Sequence, residues 1–108
     1  MSRVVVQYRT RNDAADANQE AIERVFAALE ESAPDGLRYV SMRLEEEEAG
    51  TVFVHVAEIT TADGSNPLSE TPEFKEFQAG LPDRVVEPPL ARGASLVGAY
   101  GAGERGAS

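Results

Sequence analysis

At 108 residues the chain has room for one hydrophobic core and not for a second, which sets aside a multi-domain reading. Its 19 Asp and Glu against 10 Lys and Arg give a formal charge of −9, and no predicted element gathers the basic cluster that phosphate binding needs, so nucleic acid is not an expected partner. The lack of cysteine excludes disulfides, thiolate nucleophiles and cysteine-ligated metals, while the apolar run of Val4, Val5 and Val6 is too short for a signal-peptide core or a membrane span. A cytoplasmic location, away from membranes, is the default expectation.

Residues 3–9 are rich in Val and Tyr and are closed by Asn12 and Asp13, which predicts a first strand. Asp13 stands where it would cap a helix, with Asp16 in the first turn where negative charge suits the dipole. Ile22, Val25, Phe26 and Leu29 then recur at the spacing of one helical face. Pro34 and Gly36 end that helix, proline by breaking the hydrogen-bond ladder and glycine by taking the left-handed turn. Residues 37–44 alternate Val40, Met42 and Leu44 with Tyr39, Ser41 and Arg43, the period of a strand.

A polar run at 45–48, followed by Ala49 and Gly50, leads into residues 51–60, the strongest strand of the sequence, and the two strands are expected to pair as a hairpin. Residues 61–70, with Gly64, Asn66 and Pro67, form a loop long enough to cover a pocket mouth. Thr71 followed by Pro72 starts a short second helix with Phe74, Phe77 and Leu81 on its apolar side. Residues 83–93, carrying Pro88 and Pro89, read as an extended connector, and 94–100 as the last strand. The expectation is one domain over residues 1–100 with a flexible tail at 101–108. Its fold class is α+β, a ferredoxin-like βαββαβ sandwich in which both helices lie on one face of a four-stranded antiparallel sheet.

Residues 51–60 place Phe53, His55, Ala57 and Ile59 on one face and Val52, Val54, Val56 and Glu58 on the other, so both faces are largely apolar. Two helices cover only one side of a sheet. A second copy of the chain is the expected cover for the other, because a two-fold dimer needs only one self-complementary surface. The alternative is that Tyr8, Tyr39, Arg43 and the tail cover that face within one chain.

His55 is the sole histidine and the first candidate for a base, although a histidine flanked by Phe53 and Ala57 is more often a core or interface residue. Glu58, three residues along the strand, points to the opposite face, so the two do not form an in-strand dyad. With one histidine and no cysteine, no metal-ligand set is expected. The acidic run at 45–48 reads as a solvated turn. Residues 101–106 match the dinucleotide fingerprint in letters only, since the motif needs a helix after it and none is expected there. What remains is an apolar cavity between sheet and helices, lined by residues such as Phe26, Phe74 and Phe77.

The segment from Val54 to Ile59, with Glu58 near its end, followed after a loop by Thr71, Pro72, Phe74 and Phe77, resembles the antibiotic biosynthesis monooxygenase-like family of dimeric α/β barrels. The resemblance implies a homodimer that oxidises a small aromatic or quinol-type substrate with O2 and without a cofactor. In such a protein His55, Glu58 or Glu73 would polarise a substrate hydroxyl, while Phe26, Thr60, Phe74 and Phe77 would contact the substrate. Thr60 stands where many members carry a tryptophan, and Glu73 where many carry a histidine. Haem-degrading members use a histidine as axial ligand, so a haem role is not expected. The alternative function is a non-catalytic dimeric protein that binds or senses a small apolar molecule, and a third is a purely structural role.

Overall fold

The computed structural model describes residues 2–101. Strand β1 (Ser2–Thr10) passes through a 3-10 turn at Asn12–Ala14 into helix α1 (Ala15–Ser32). Strands β2 (Leu37–Arg43) and β3 (Thr51–Ile59) follow, then helix α2 (Pro72–Gly80), a second 3-10 turn at Leu81–Asp83, and strand β4 (Val85–Gly93). The sheet is antiparallel throughout, in the order β2-β3-β1-β4. This is the expected ferredoxin-like α+β arrangement, and β2 and β3 form the expected hairpin, closed by a bridge between Glu47 and Gly50.

Helix α1 buries Ile22 and Val25, and Phe26 and Leu29 in part, as the helical spacing of these residues requires. Asp13 does not cap it. The 3-10 turn comes first, Ala14 occupies the cap position without a side-chain bond, and the Asp13 carboxylate accepts from Arg11 Nε at 3.0 Å. At the other end Ala33 takes the left-handed position itself, at φ 45°, with its N–H on the Leu29 carbonyl at 2.7 Å. Gly36 supplies a second left-handed residue at φ 81°, and a Cβ there would meet the Thr61 methyl group at 2.6 Å.

The last strand is the principal correction. Residues 85–93 form β4, and 94–100 lie outside any strand. Pro88 and Pro89 read as connector residues because they cannot donate to a ladder, but β4 is an edge strand bonded only to β1. The pairing shifts register between Gln7 and Arg9, beside the proline pair, and so absorbs the lost donors. Of the expected tail and the fingerprint-like run, all but Gly101 lies outside the described residues.

Register decides the faces. Val6, His55, Ser41 and Ala91 align across the four strands, as do Val4, Ala57, Tyr39 and Gly93, and these rows face the helices. Tyr8 pairs with Phe53 in the same layer, and Arg43 turns back to bond Asp16 and Gln19 on α1. Tyr8, Tyr39 and Arg43 therefore cannot cover the opposite face, because each shares the parity of the helix-facing residues. That face carries Val5, Val40, Met42, Val54, Val56 and Leu90, of which Val40, Met42 and Leu90 are about half exposed. Among the described residues no helix is long and apolar enough to cross a membrane.

Phe53 is 1 % exposed and lies under α1 between Tyr8 and Arg43. Phe53→Ala should cost about 3–5 kcal/mol by leaving a cavity, whereas Val97→Ala, at a fully exposed position, should leave the denaturation midpoint unchanged. Urea unfolding of the two variants checks both expectations.

Candidate functional site

Between the sheet and α2 lies a cavity of about 350 Å3. Its walls are mostly apolar: Val4 and Val6 from β1, Ala57 and Ile59 from β3, Phe74 and Phe77 from α2, Leu81, and Pro89 and Ala91 from β4. The loop at 61–70 contributes Asn66, Leu68 and Ser69, with Leu68 buried, so it does form part of the cavity wall. Polar groups enter from the sheet through Tyr8, Tyr39 and His55, and from α2 through Gln78. A cavity of this size and composition falls within the range of small-molecule sites.

His55 is the centre of the polar wall and is 5 % exposed. Both ring nitrogens are engaged. Nε2 lies 2.8 Å from Tyr8 Oη, and Nδ1 lies 2.8 Å from Tyr39 Oη and 2.7 Å from Ser41 Oγ. The three rings are nearly parallel, with centroids 5.3 Å (Tyr8) and 5.8 Å (Tyr39) from that of His55, and Phe77 tilts against the imidazole at 5.6 Å. Tyr8 also receives Asn18 Nδ2 at 2.9 Å, and Asn18 receives Arg84 Nε at 2.9 Å. A buried polar chain therefore runs from the α2–β4 connection, through α1, to the third strand.

Burial sets the protonation states. Removing the imidazole from water disfavours the cation and lowers the His55 pKa to about 4, so the ring is neutral at pH 7. Desolvation pushes the Tyr8 and Tyr39 hydroxyls above the usual phenol range, against the Asn18 and Ser41 hydrogen bonds, and both stay protonated. The site thus presents neutral donors and acceptors in a mostly apolar cavity.

The expected site residues divide. His55, Phe74 and Phe77 line the cavity. Phe26 does not, but stacks on Tyr39 with centroids 5.0 Å apart and so backs a ring that does. Glu58 is on the opposite sheet face, where it pairs with Arg3 and lies 4.0 Å from Arg38. Strand alternation puts it there, and it cannot act with His55. Glu73 sits in the first turn of α2 and Thr60 is exposed, its N–H bonded to the Gly36 carbonyl at 2.8 Å; neither borders the cavity.

Tyr8, Asn18, Tyr39, Ser41 and Arg84 were not expected in the site. One signal was present: Asn18 stands four residues before Ile22, a polar residue on the buried stripe of α1, and it is completely buried.

No protein-family model matches the chain, and neither does any curated protein sequence. Solved structures do share its fold. One is a protein of Nitrosomonas europaea whose name assigns it to the antibiotic biosynthesis monooxygenases, at 18% identity and a TM-score of 0.71 over 90% of this chain and 99% of that one. A protein of the same description from Caulobacter crescentus aligns at 18% identity with a TM-score of 0.69 over 90% of both chains. A mutant of SnoaB, a cofactor-independent oxygenase from Streptomyces nogalater, aligns at 14% identity with a TM-score of 0.65 over 94% of this chain and 97% of that one. At these identities the likeness establishes the α+β fold.

The lowered His55 pKa makes stability depend on acid. The unfolded chain takes up a proton near pH 6.5 and the folded one only near 4, so the stability held above pH 6.5 falls by about 3 kcal/mol as pH drops to 4. Thermal melts from pH 7 to pH 4 should show this loss, and His55→Gln should remove its His-dependent part.

Proposed function

We propose that the chain is a member of the antibiotic biosynthesis monooxygenase-like family and promotes the oxidation of a small aromatic or quinol-type substrate by O2 without a cofactor. The observation that carries this reading is the apolar cavity with one polar wall, His55 held between Tyr8 and Tyr39. The fold shared with SnoaB, a cofactor-independent oxygenase, supports it.

In this reading the substrate ring lies against Phe74 and Phe77 and its oxygen meets the His55–tyrosine wall. The substrate hydroxyl gives up its proton to the Tyr8 oxygen as the Tyr8 proton moves to His55 Nε2, so that the imidazole takes the charge. An activated ring carbon then donates an electron pair to O2, a C–O bond forms, and the proton returns to the distal oxygen. The hydroperoxide loses water across its O–O bond and leaves a quinone carbonyl. One oxygen atom stays on the product and the other departs as water. The mostly apolar walls serve the step by limiting the water around the reacting carbon.

The family reading includes a homodimer. The open sheet face is apolar along its middle, and its charged residues, Arg3, Arg9, Arg38 and Arg92 against Glu58 and Glu87, leave the acidic excess of the chain elsewhere. Two copies meeting on this face keep the acidic excess of each chain away from the contact. Val54→Glu, at the centre of that face, should convert a particle of two chains into one of a single chain by light scattering, with the helix-side core intact.

A second reading, a non-catalytic binding protein, draws support from the same His55. Its pKa of about 4 makes it a weak base, and protein partners already occupy both nitrogens. Oxygen uptake with a panel of anthrones and hydroquinones separates the two. The monooxygenase reading expects turnover that falls about 100-fold or more in His55→Gln. Thermal stabilisation by the same compounds with no oxygen consumed would favour the binding reading instead.

A further inference from the structure

We propose that Arg84 is a positioning residue of this site: through Asn18 and Tyr8 it holds His55 in the tautomer with its proton on Nδ1, which leaves the Tyr39 hydroxyl proton for an acceptor oxygen of the ligand. The inference rests on reading the cavity as the ligand site, but the tautomer is measurable with no ligand present, so the two can fail separately.

Each hydrogen bond in the chain fixes the direction of the next. A guanidinium only donates, so the Asn18 atom 2.9 Å from Arg84 Nε must be the amide oxygen. This turns the Asn18 NH2 group toward Tyr8, whose hydroxyl oxygen accepts it at 2.9 Å. Among the described residues, the protein acceptor within reach of the Tyr8 proton is then His55 Nε2 at 2.8 Å. Tyr8 is 4 % exposed and Asn18 completely buried, so the opposite order would leave the hydroxyl proton with no protein acceptor among the described residues. Nε2 is therefore the acceptor and Nδ1 carries the hydrogen, which points to Tyr39 Oη and Ser41 Oγ.

Arg84 is itself held in place. Its Nη2 donates to the Phe77 carbonyl at 3.2 Å, and its guanidinium lies 5.7 Å from the centroid of the Phe77 ring. Gly80 leaves the room it needs, since a Cβ there would come within 2.6 Å of Arg84 Nη1. The consequence is chemical. With Nδ1 as donor, Tyr39 accepts from His55 and does not spend its own proton on it. The cavity then offers a phenol donor, which favours a ligand carrying a carbonyl or phenolate oxygen over a pure hydrocarbon.

The sole histidine makes the test direct. Long-range 1H–15N spectra of the full 15N-labelled chain, recorded at pH 7, should show Nδ1 protonated and Nε2 unprotonated. Asn18→Asp replaces the donor facing Tyr8 by an acceptor, so the chain of bonds should reverse and the two nitrogens should exchange their shifts. Arg84→Met should give averaged shifts of a tautomer mixture, while Arg84→Lys, which still donates, should restore the original pattern. An Nε2-protonated ring in the parent chain would overturn the proposal. Spectra unchanged in Asn18→Asp and Arg84→Met, with melts showing both folded, would do so as well.

Discussion

The structure turns on a neutral imidazole kept out of water with each nitrogen bonded to a neighbouring hydroxyl. A buried histidine without partners would carry a large desolvation cost, and one beside a carboxylate would become a cation. His55 does neither. Tyr8 closes one side, Tyr39 and Ser41 close the other, and Phe77 leans on the ring. The cluster therefore adds polarity to the cavity without adding charge.

Sheet register is what assembles it. His55 aligns with Val6 on one neighbour and Ser41 on the other, while Tyr8 and Tyr39 come from adjacent rows of the same face. A one-residue slip of β1 would send Tyr8 to the opposite side and bring Gln7 in. The helices complete the arrangement from above, α1 by Asn18 and α2 by Phe74 and Phe77. Packing and polar satisfaction thus specify the same register.

Much of this was legible in the sequence. The alternation of residues 51–60 placed His55 and Glu58 on different faces, and the helical spacing of Ile22, Val25, Phe26 and Leu29 gave the face of α1. The final strand was hidden because a proline pair signals a break, and only knowledge that β4 lies at an edge removes the objection. The polar partners of His55 were hidden for another reason. Tyr8, Asn18, Tyr39 and Arg84 are spread over the first strand, the first helix, the second strand and the turn before the last, and no local period links them. Only the folded register brings them within 3 Å of one another in sequence along the chain of bonds. Glu73 and Thr60 stand out from the family pattern, whereas the cavity is lined by Phe74, Phe77 and Gln78 of α2 and by the sheet.

The central claim is that His55 sits neutral and buried with both nitrogens satisfied, and the titration of its Hε1 proton by NMR tests that claim most directly. A resonance that holds its neutral position through pH 5 and begins to move only as pH approaches 4 agrees with the account. A midpoint near 6.5, the value of a histidine in water, would contradict it.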